Sequence, residues 1–134
     1  MGVFNEFQVL DIFKPYQTIK INYDKRRIKG NLTRITFKDK DTNQFVEYLP
    51  AFDISGYGDT KAETIEMIKF SLADYLDYLL NLPVKKVEQE LKKFGWSKVK
   101  LHNKEYSNSH VDIGGNLKNF NAIEETVEVS TIEY

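Results

Sequence analysis

The 134-residue chain contains no cysteine, which excludes disulfide bonds and thiolate metal ligands within it. No apolar run approaches the ~20 residues that span a bilayer, and the N-terminus lacks the basic and apolar regions of a signal peptide. The net charge of −1 gives no general attraction to the phosphates of nucleic acids. We therefore expect a cytoplasmic protein with neither a membrane nor a nucleic acid as its partner.

Aromatic residues are plentiful by contrast, with eight Tyr and nine Phe to fill a core. No repeat, linker or low-complexity block divides the chain. We predict one domain over residues 1–134.

Alternation of apolar and polar residues predicts strands over residues 18–23, 28–38 and 44–51, which would form an antiparallel meander. A helix is predicted over residues 60–80, because Ile65, Ile68 and Leu72 begin an apolar stripe at helical spacing. Residues 83–134 then read as a helix–strand–loop–strand extension: a short helix beginning at Pro83 and ended by Gly95, a strand over 96–101, a loop over 102–122 and a strand over 126–134. The predicted fold is α+β, an antiparallel sheet of about four to five strands with one long packed helix and a short second helix.

The stretch Gly56-Tyr57-Gly58 reads as a tight turn that glycine permits and that leads into the long helix. Asp59 or Thr60 supplies the helix cap. Thr60 and Glu63 fit the capping box, in which a hydroxyl accepts from the third helical amide and a carboxylate reaches back to the cap amide.

This order of three strands, a Gly58-Asp59-Thr60 turn, Glu63 and a helix resembles the HicB-like antitoxin domain, a partial ribonuclease-H-like fold. The resemblance covers residues 18–80. It departs where the family has Pro-Gly and this chain has Phe52-Asp53, and where the usual Ala is Thr64. The resemblance implies a non-enzymatic domain that occludes a partner protein, such as a toxin.

A metal-dependent nuclease on the same fold is the rival interpretation, because several carboxylates lie near the junction of sheet and helix. Helix capping and turn formation explain these carboxylates without a metal, so we expect no enzyme, no metal and no cofactor. The residues concerned are Glu47, Asp53, Asp59 and Glu63.

Two other patterns suggest ligands and have simpler explanations. Asp39, Asp41 and Asn43 resemble the start of a calcium loop, but Gln44 and Pro50 stand where that loop needs Gly and Glu, so a turn is expected. The histidine candidates His102 and His110, the latter with Asp112, lie in a polar stretch and are read as exposed loop residues.

A basic cluster around residues 20–34 is read as a solvated turn, with nucleic-acid contact as the alternative. Its members are Lys20, Lys25, Arg26, Arg27, Lys29 and Arg34.

Three large side chains on the long helix, Met67, Phe70 and Tyr78, project away from its apolar stripe. Either residues 83–134 bury them, or they form the interface of a homodimer or of a complex with another protein. We predict that they bind a partner. A structural homo-oligomer without a ligand is a third possibility.

Overall fold

The structure is a computed structural model that describes residues 17–99, 105–108 and 113–134. It is an α+β fold in which seven strands form one antiparallel sheet. The strands are β1 (Gln17–Asn22), β2 (Arg27–Lys38), β3 (Phe45–Leu49), β4 (Ile54–Gly58), β5 (Ser97–Lys98), β6 (Glu105–Asn108) and β7 (Glu128–Glu133). The helices are α1 (Lys61–Asn81), α2 (Val84–Lys92) and α3 (Ile113–Leu117), with a 3₁₀ turn at Glu124–Thr126.

The long strand β2 organises the sheet. Asn31 pairs with residues of both β1 and β7, and Ile35 pairs with residues of both β3 and β7. Strand β7 therefore runs along one edge of β2, while β1 and β3 follow one another along the opposite edge. Strand β4 pairs with β3, β6 pairs with β1, and β5 pairs with β6.

The side chain of Gln17, the first residue of β1, fills a gap along one edge of β2. The gap lies between the residues of β2 that pair with β1 and those that pair with β3. Thr33 lies in this gap, and its backbone N–H donates to Gln17 Oε1 at 2.9 Å in a buried environment. A buried N–H without an acceptor would be strongly unfavourable. Gln17 thus takes the place of a neighbouring strand at this point of β2.

Helix α1 packs against one face of the sheet through a stripe of buried aliphatic side chains that includes Ile68, Leu72 and Leu76. Two glycines of β4 let the helix approach closely. A Cβ at Gly56 would lie 2.9 Å from Ile68 Cγ1, and one at Gly58 would lie 2.8 Å from the Cβ of Glu63. The helix is thereby held in a fixed position on β4.

The segment after α1 extends this first core. Trp96 is buried, its Nε1–H donates to the backbone oxygen of Ala51 at 2.8 Å, and its ring stacks on Phe52 with centroids 5.9 Å apart. Val87 and Leu91 of α2 are buried in the same cluster.

A second, smaller core lies on the opposite face of β2 and β3. Phe120 covers Phe37 and Tyr48 there, with ring centroids 5.3 and 4.9 Å away. Leu32 belongs to the first core and Ile35 to the second, since residues three apart on a strand point to opposite faces. The segment over residues 113–127 therefore folds back as a cover for this face.

The predicted class and the long helix are confirmed, while three details of the prediction are wrong. The sheet has seven strands rather than four to five. Residues 54–58 form β4 and not a turn, and among the described glycines only Gly95, after α2, has a positive φ, of 86°. Residues 102–122, predicted as a loop, contain β6 and α3. Strand β6 forms because it pairs with β1, and α3 belongs to the segment that covers the second core. Residues 100–104 and 109–112 lie outside the described residues.

Candidate functional site

Helix α1 begins with a variant of the capping box. Thr60 Oγ1 accepts the N–H of Glu63 at 3.1 Å, and Glu63 Oε2 accepts the N–H of Asp59 at 2.9 Å. The carboxylate reaches the residue before the cap, whereas the ordinary capping box returns to the cap itself. Thr60 is thus the N-cap, and Asp59 instead accepts a hydrogen bond from Gln44 Nε2 at 3.3 Å. With Gly58 against the same turn, these residues fix the start of α1 on β4.

The other two carboxylates considered for a metal site have separate partners. Glu47 is 3% exposed, and its Oε1 lies 3.4 Å from Arg34 Nε. Burial raises the pKa of Glu47, and the guanidinium of Arg34 opposes that rise. Asp53 accepts a hydrogen bond from the Tyr48 hydroxyl at 2.7 Å. Within residues 17–99, 105–108 and 113–134, no three His, Asp or Glu side chains are grouped so that they could hold one metal ion.

The calcium-like pattern forms a turn, as predicted. Asp39 Oδ2 accepts the N–H groups of Asp41 and Thr42 at 3.0 and 2.9 Å, and the bond from Thr42 is the main cause that lowers the pKa of Asp39. Asn43 ends the turn with a φ of 57°. The candidates His102, His110 and Asp112 lie outside the described residues.

The basic cluster is divided among different places. Arg26 turns toward the C-terminus of α1, where its Nη2 donates to Asn81 Oδ1 at 2.9 Å and lies 4.0 Å from Asp77 Oδ1. This places a cation at the negative end of the helix dipole. Arg34 pairs with Glu47 on β3. The remaining members, Lys20, Lys25, Arg27 and Lys29, lie together on the outer surface of the β1–β2 hairpin.

The three predicted partner-binding residues form what we call the α1 patch: Met67, Phe70 and Tyr78. Their exposed fractions are 37%, 76% and 48%. Met67 Sδ accepts the backbone N–H of Tyr57 at 3.4 Å, which extends the patch toward another exposed aromatic residue on β4. Phe70 therefore presents most of its ring to solvent, at a position where a helix is normally polar.

The segment after α1 packs beside the patch and leaves it exposed. Phe94 contacts Tyr75 with ring centroids 6.2 Å apart, and Tyr75 also packs on Phe52 at 5.0 Å. Tyr78 contacts this aromatic group through Tyr75, with ring centroids 5.9 Å apart. The described part of residues 83–134 thus does not bury the patch, contrary to one of the two alternatives from the sequence.

Carboxylates surround Phe70 on the outer side of α1. Four acidic residues lie four or seven positions from it, which places them on the same side of a helix. All four are exposed: Glu63, Glu66, Asp74 and Asp77. Glu63 is held at the helix cap and Asp77 lies beside Arg26, so the acidic character next to the α1 patch comes mainly from Glu66 and Asp74.

A hollow of about 280 Å³, which was not predicted from the sequence, lies between β2, β3 and the start of α1. Lys38 Nζ and Lys61 Nζ lie 4.8 and 5.9 Å from the centroid of the Phe45 ring, and the Arg34–Glu47 pair forms another wall. Within this hollow, Lys38 and Phe45 are neighbours because the β2–β3 register sets them opposite one another. Lys61 comes from the helix and joins them only in the folded chain.

No helix in the described residues is both long and apolar enough to cross a membrane. In comparisons with protein-family models, with curated proteins and with solved structures, nothing matches this chain.

Proposed function

We propose that this protein is a non-enzymatic protein-binding domain that uses the α1 patch to cover a surface of a partner protein, as a HicB-like antitoxin would cover its toxin. The observation that supports it best is the 76% exposure of Phe70 on a well-packed helix. Large aromatic and Met side chains are enriched where proteins bind one another. Occlusion needs no catalytic group, since a covered active site excludes its substrate.

The charges around the patch indicate the kind of partner. Glu66 and Asp74 stand one turn before and one turn after Phe70, and two more carboxylates lie a further turn away. Two copies of this surface placed face to face would oppose carboxylates to carboxylates, which disfavours a homodimer through the patch. The favoured partner is a different protein that offers an apolar pocket within a basic surface.

The test is capture of the partner from the native cell, followed by reconstitution of the complex from purified proteins. Phe70→Ser should weaken the reconstituted complex at least ~30-fold, the size of a hot-spot loss. Glu66→Gln with Asp74→Asn should slow association and reduce its dependence on salt. Tyr134→Ser, which removes another exposed aromatic residue, is the matched control and should change neither.

Two results would contradict the proposal. A complex that forms equally well with Phe70→Ser uses another surface. Self-association of the purified wild-type protein that Phe70→Ser abolishes would assign the patch to a homodimer instead.

A further inference from the structure

Four basic side chains and one asparagine surround a hollow on the outer surface of the β1–β2 hairpin, and the carbon stems of these side chains form most of its inner surface. Its volume is about 230 Å³. It lies on the face of the hairpin that points away from α1, because Ile19, Ile21 and Ile28 fill the other face. The lining residues are Lys20, Asn22, Lys25, Arg27 and Lys29.

The strand register brings like charges together in this hollow. Lys20 is the direct cross-strand partner of Lys29, and Asn22 is the partner of Arg27. Side chains in such positions have Cβ atoms only ~5 Å apart, and like charges there destabilise the sheet. The pairing of Lys20 with Lys29 thus adds like-charge repulsion, which Glu105, the partner of Lys20 on β6, offsets in part.

Carboxylates neutralise this group of cations only in part. Asp24 lies in the adjoining turn and Glu105 is opposite Lys20 on β6, but neither lines the hollow. Among the described residues, no carboxylate oxygen lies within 4.0 Å of the charged groups of the four basic side chains. Arg26, from the same turn, is by contrast engaged with α1.

We propose that the hollow binds a small molecule that carries two or more adjacent phosphate groups. Four cationic side chains around one hollow match such a ligand, with Arg27 able to form a bidentate contact and the lysines acting as point charges. The hollow is smaller than the ~300–1,000 Å³ sites that enclose drug-sized ligands, so it fits the phosphates rather than a whole nucleotide. Tyr23, the nearest aromatic residue in the hairpin, packs against the first core and offers no stacking surface for a base. A compact polyphosphate is therefore favoured over a nucleic-acid strand.

Titration of the full chain with inorganic pyrophosphate, followed by amide NMR shifts and by the thermal unfolding midpoint, tests this site. The largest shifts should occur at residues 20–29, and the midpoint should rise with pyrophosphate concentration. Lys20→Gln with Lys29→Gln should weaken binding about tenfold or more, since two phosphate contacts are lost. The same variant without ligand should have an unfolding midpoint close to that of the wild type, because it loses both the repulsion between Lys20 and Lys29 and the attraction between Lys20 and Glu105.

The matched control is Lys40→Gln with Lys118→Gln, which removes two exposed lysines elsewhere and should retain the affinity for pyrophosphate. Equal weakening in both double variants would show a general charge effect and overturn the proposal. The absence of amide shifts at residues 20–29 at the highest pyrophosphate concentration used would also overturn the proposal. Tighter binding of a single-stranded oligonucleotide than of pyrophosphate, at ~150 mM salt, would assign the surface to nucleic acid instead.

Discussion

Phe70 and Leu72 lie two residues apart on α1, yet 76% of the first side chain and only 2% of the second is exposed. The inner side of the helix, represented by Leu72, packs on the sheet and accounts for the stability of the fold. The outer side, represented by Phe70, makes no comparable contribution to the core. This difference divides the apolar residues of one helix into a buried group and an exposed group, and the variants below separate their effects.

Leu72→Ala should have the largest effect, because it leaves a cavity between α1 and the sheet. We expect the free energy of unfolding to fall by ~2–5 kcal/mol, as for other fully buried leucines. Urea denaturation should show a lower midpoint with an unchanged slope. A loss below ~1 kcal/mol would mean that the inner side of α1 is loosely packed and would weaken the comparison with Phe70.

Gly58→Ala tests how closely the inner side approaches β4. The added methyl group would lie 2.8 Å from Glu63 Cβ and 3.0 Å from the backbone N of Thr64, so the helix backbone must move. Overpacking of this kind lowers the free energy of unfolding by ~1–3 kcal/mol. Ser55→Ala on the same strand is the control, since Ser55 is exposed on the opposite face and its loss should be nearly neutral. A stabilised Gly58→Ala protein would show that the helix and strand are further apart than described.

The same glycines show where reading the sequence fails. Gly56 and Gly58 were interpreted as residues that permit a turn, but they allow close contact between β4 and α1 in ordinary extended backbone. A glycine that permits a turn and a glycine that permits close packing look the same in the sequence. Only the positions of Ile68 and Glu63 in the folded chain show that these two glycines permit close packing. The strands over 18–23, 28–38 and 44–51 were predictable because alternation is a local property.

The second core was missed although the sequence contains a signal for it. Leu32 and Ile35 are three residues apart within one predicted strand, so both faces of β2 must be covered in that region. The cover comes from residues 113–127, whose polar composition favours a loop and whose order depends on contacts with Phe37 and Tyr48. Long-range packing of this kind leaves little trace in local composition.

The residues of the candidate site could be predicted from the sequence, but their exposure could not. Helical periodicity identified Met67, Phe70 and Tyr78 as residues outside the stripe. It could not tell whether they are exposed, because that depends on where Phe94 and Trp96 pack in the folded chain. Phe94 contacts Tyr75, and Trp96 stacks on Phe52.

Thr60→Ala tests the start of α1, on which both sides of the helix depend. The variant removes the hydroxyl that accepts the N–H of Glu63, and we expect a loss of ~0.5–2 kcal/mol in the free energy of unfolding. Thr60→Ser keeps an acceptor at the same position and should remain within a few tenths of the wild type, ~0.3 kcal/mol. Asp59→Ala should have the smaller effect of the two alanine variants, since the Asp59 side chain accepts only from the exposed Gln44 amide among the described hydrogen bonds. A larger loss for Asp59→Ala than for Thr60→Ala in chemical denaturation would contradict the assigned cap.

Phe70→Ala should have the smallest effect on stability, although it removes a larger side chain than Leu72→Ala does. Most of the Phe70 ring is in solvent, so its removal leaves no cavity, and alanine favours a helix more than phenylalanine does. We expect the free energy of unfolding to stay within ~0.5 kcal/mol of the wild type. The measurement is urea denaturation of Phe70→Ala and Leu72→Ala side by side under one set of conditions. A loss above ~1 kcal/mol for Phe70→Ala would mean that the ring is buried by this chain itself, and the α1 patch would then be part of the core rather than a surface for a partner.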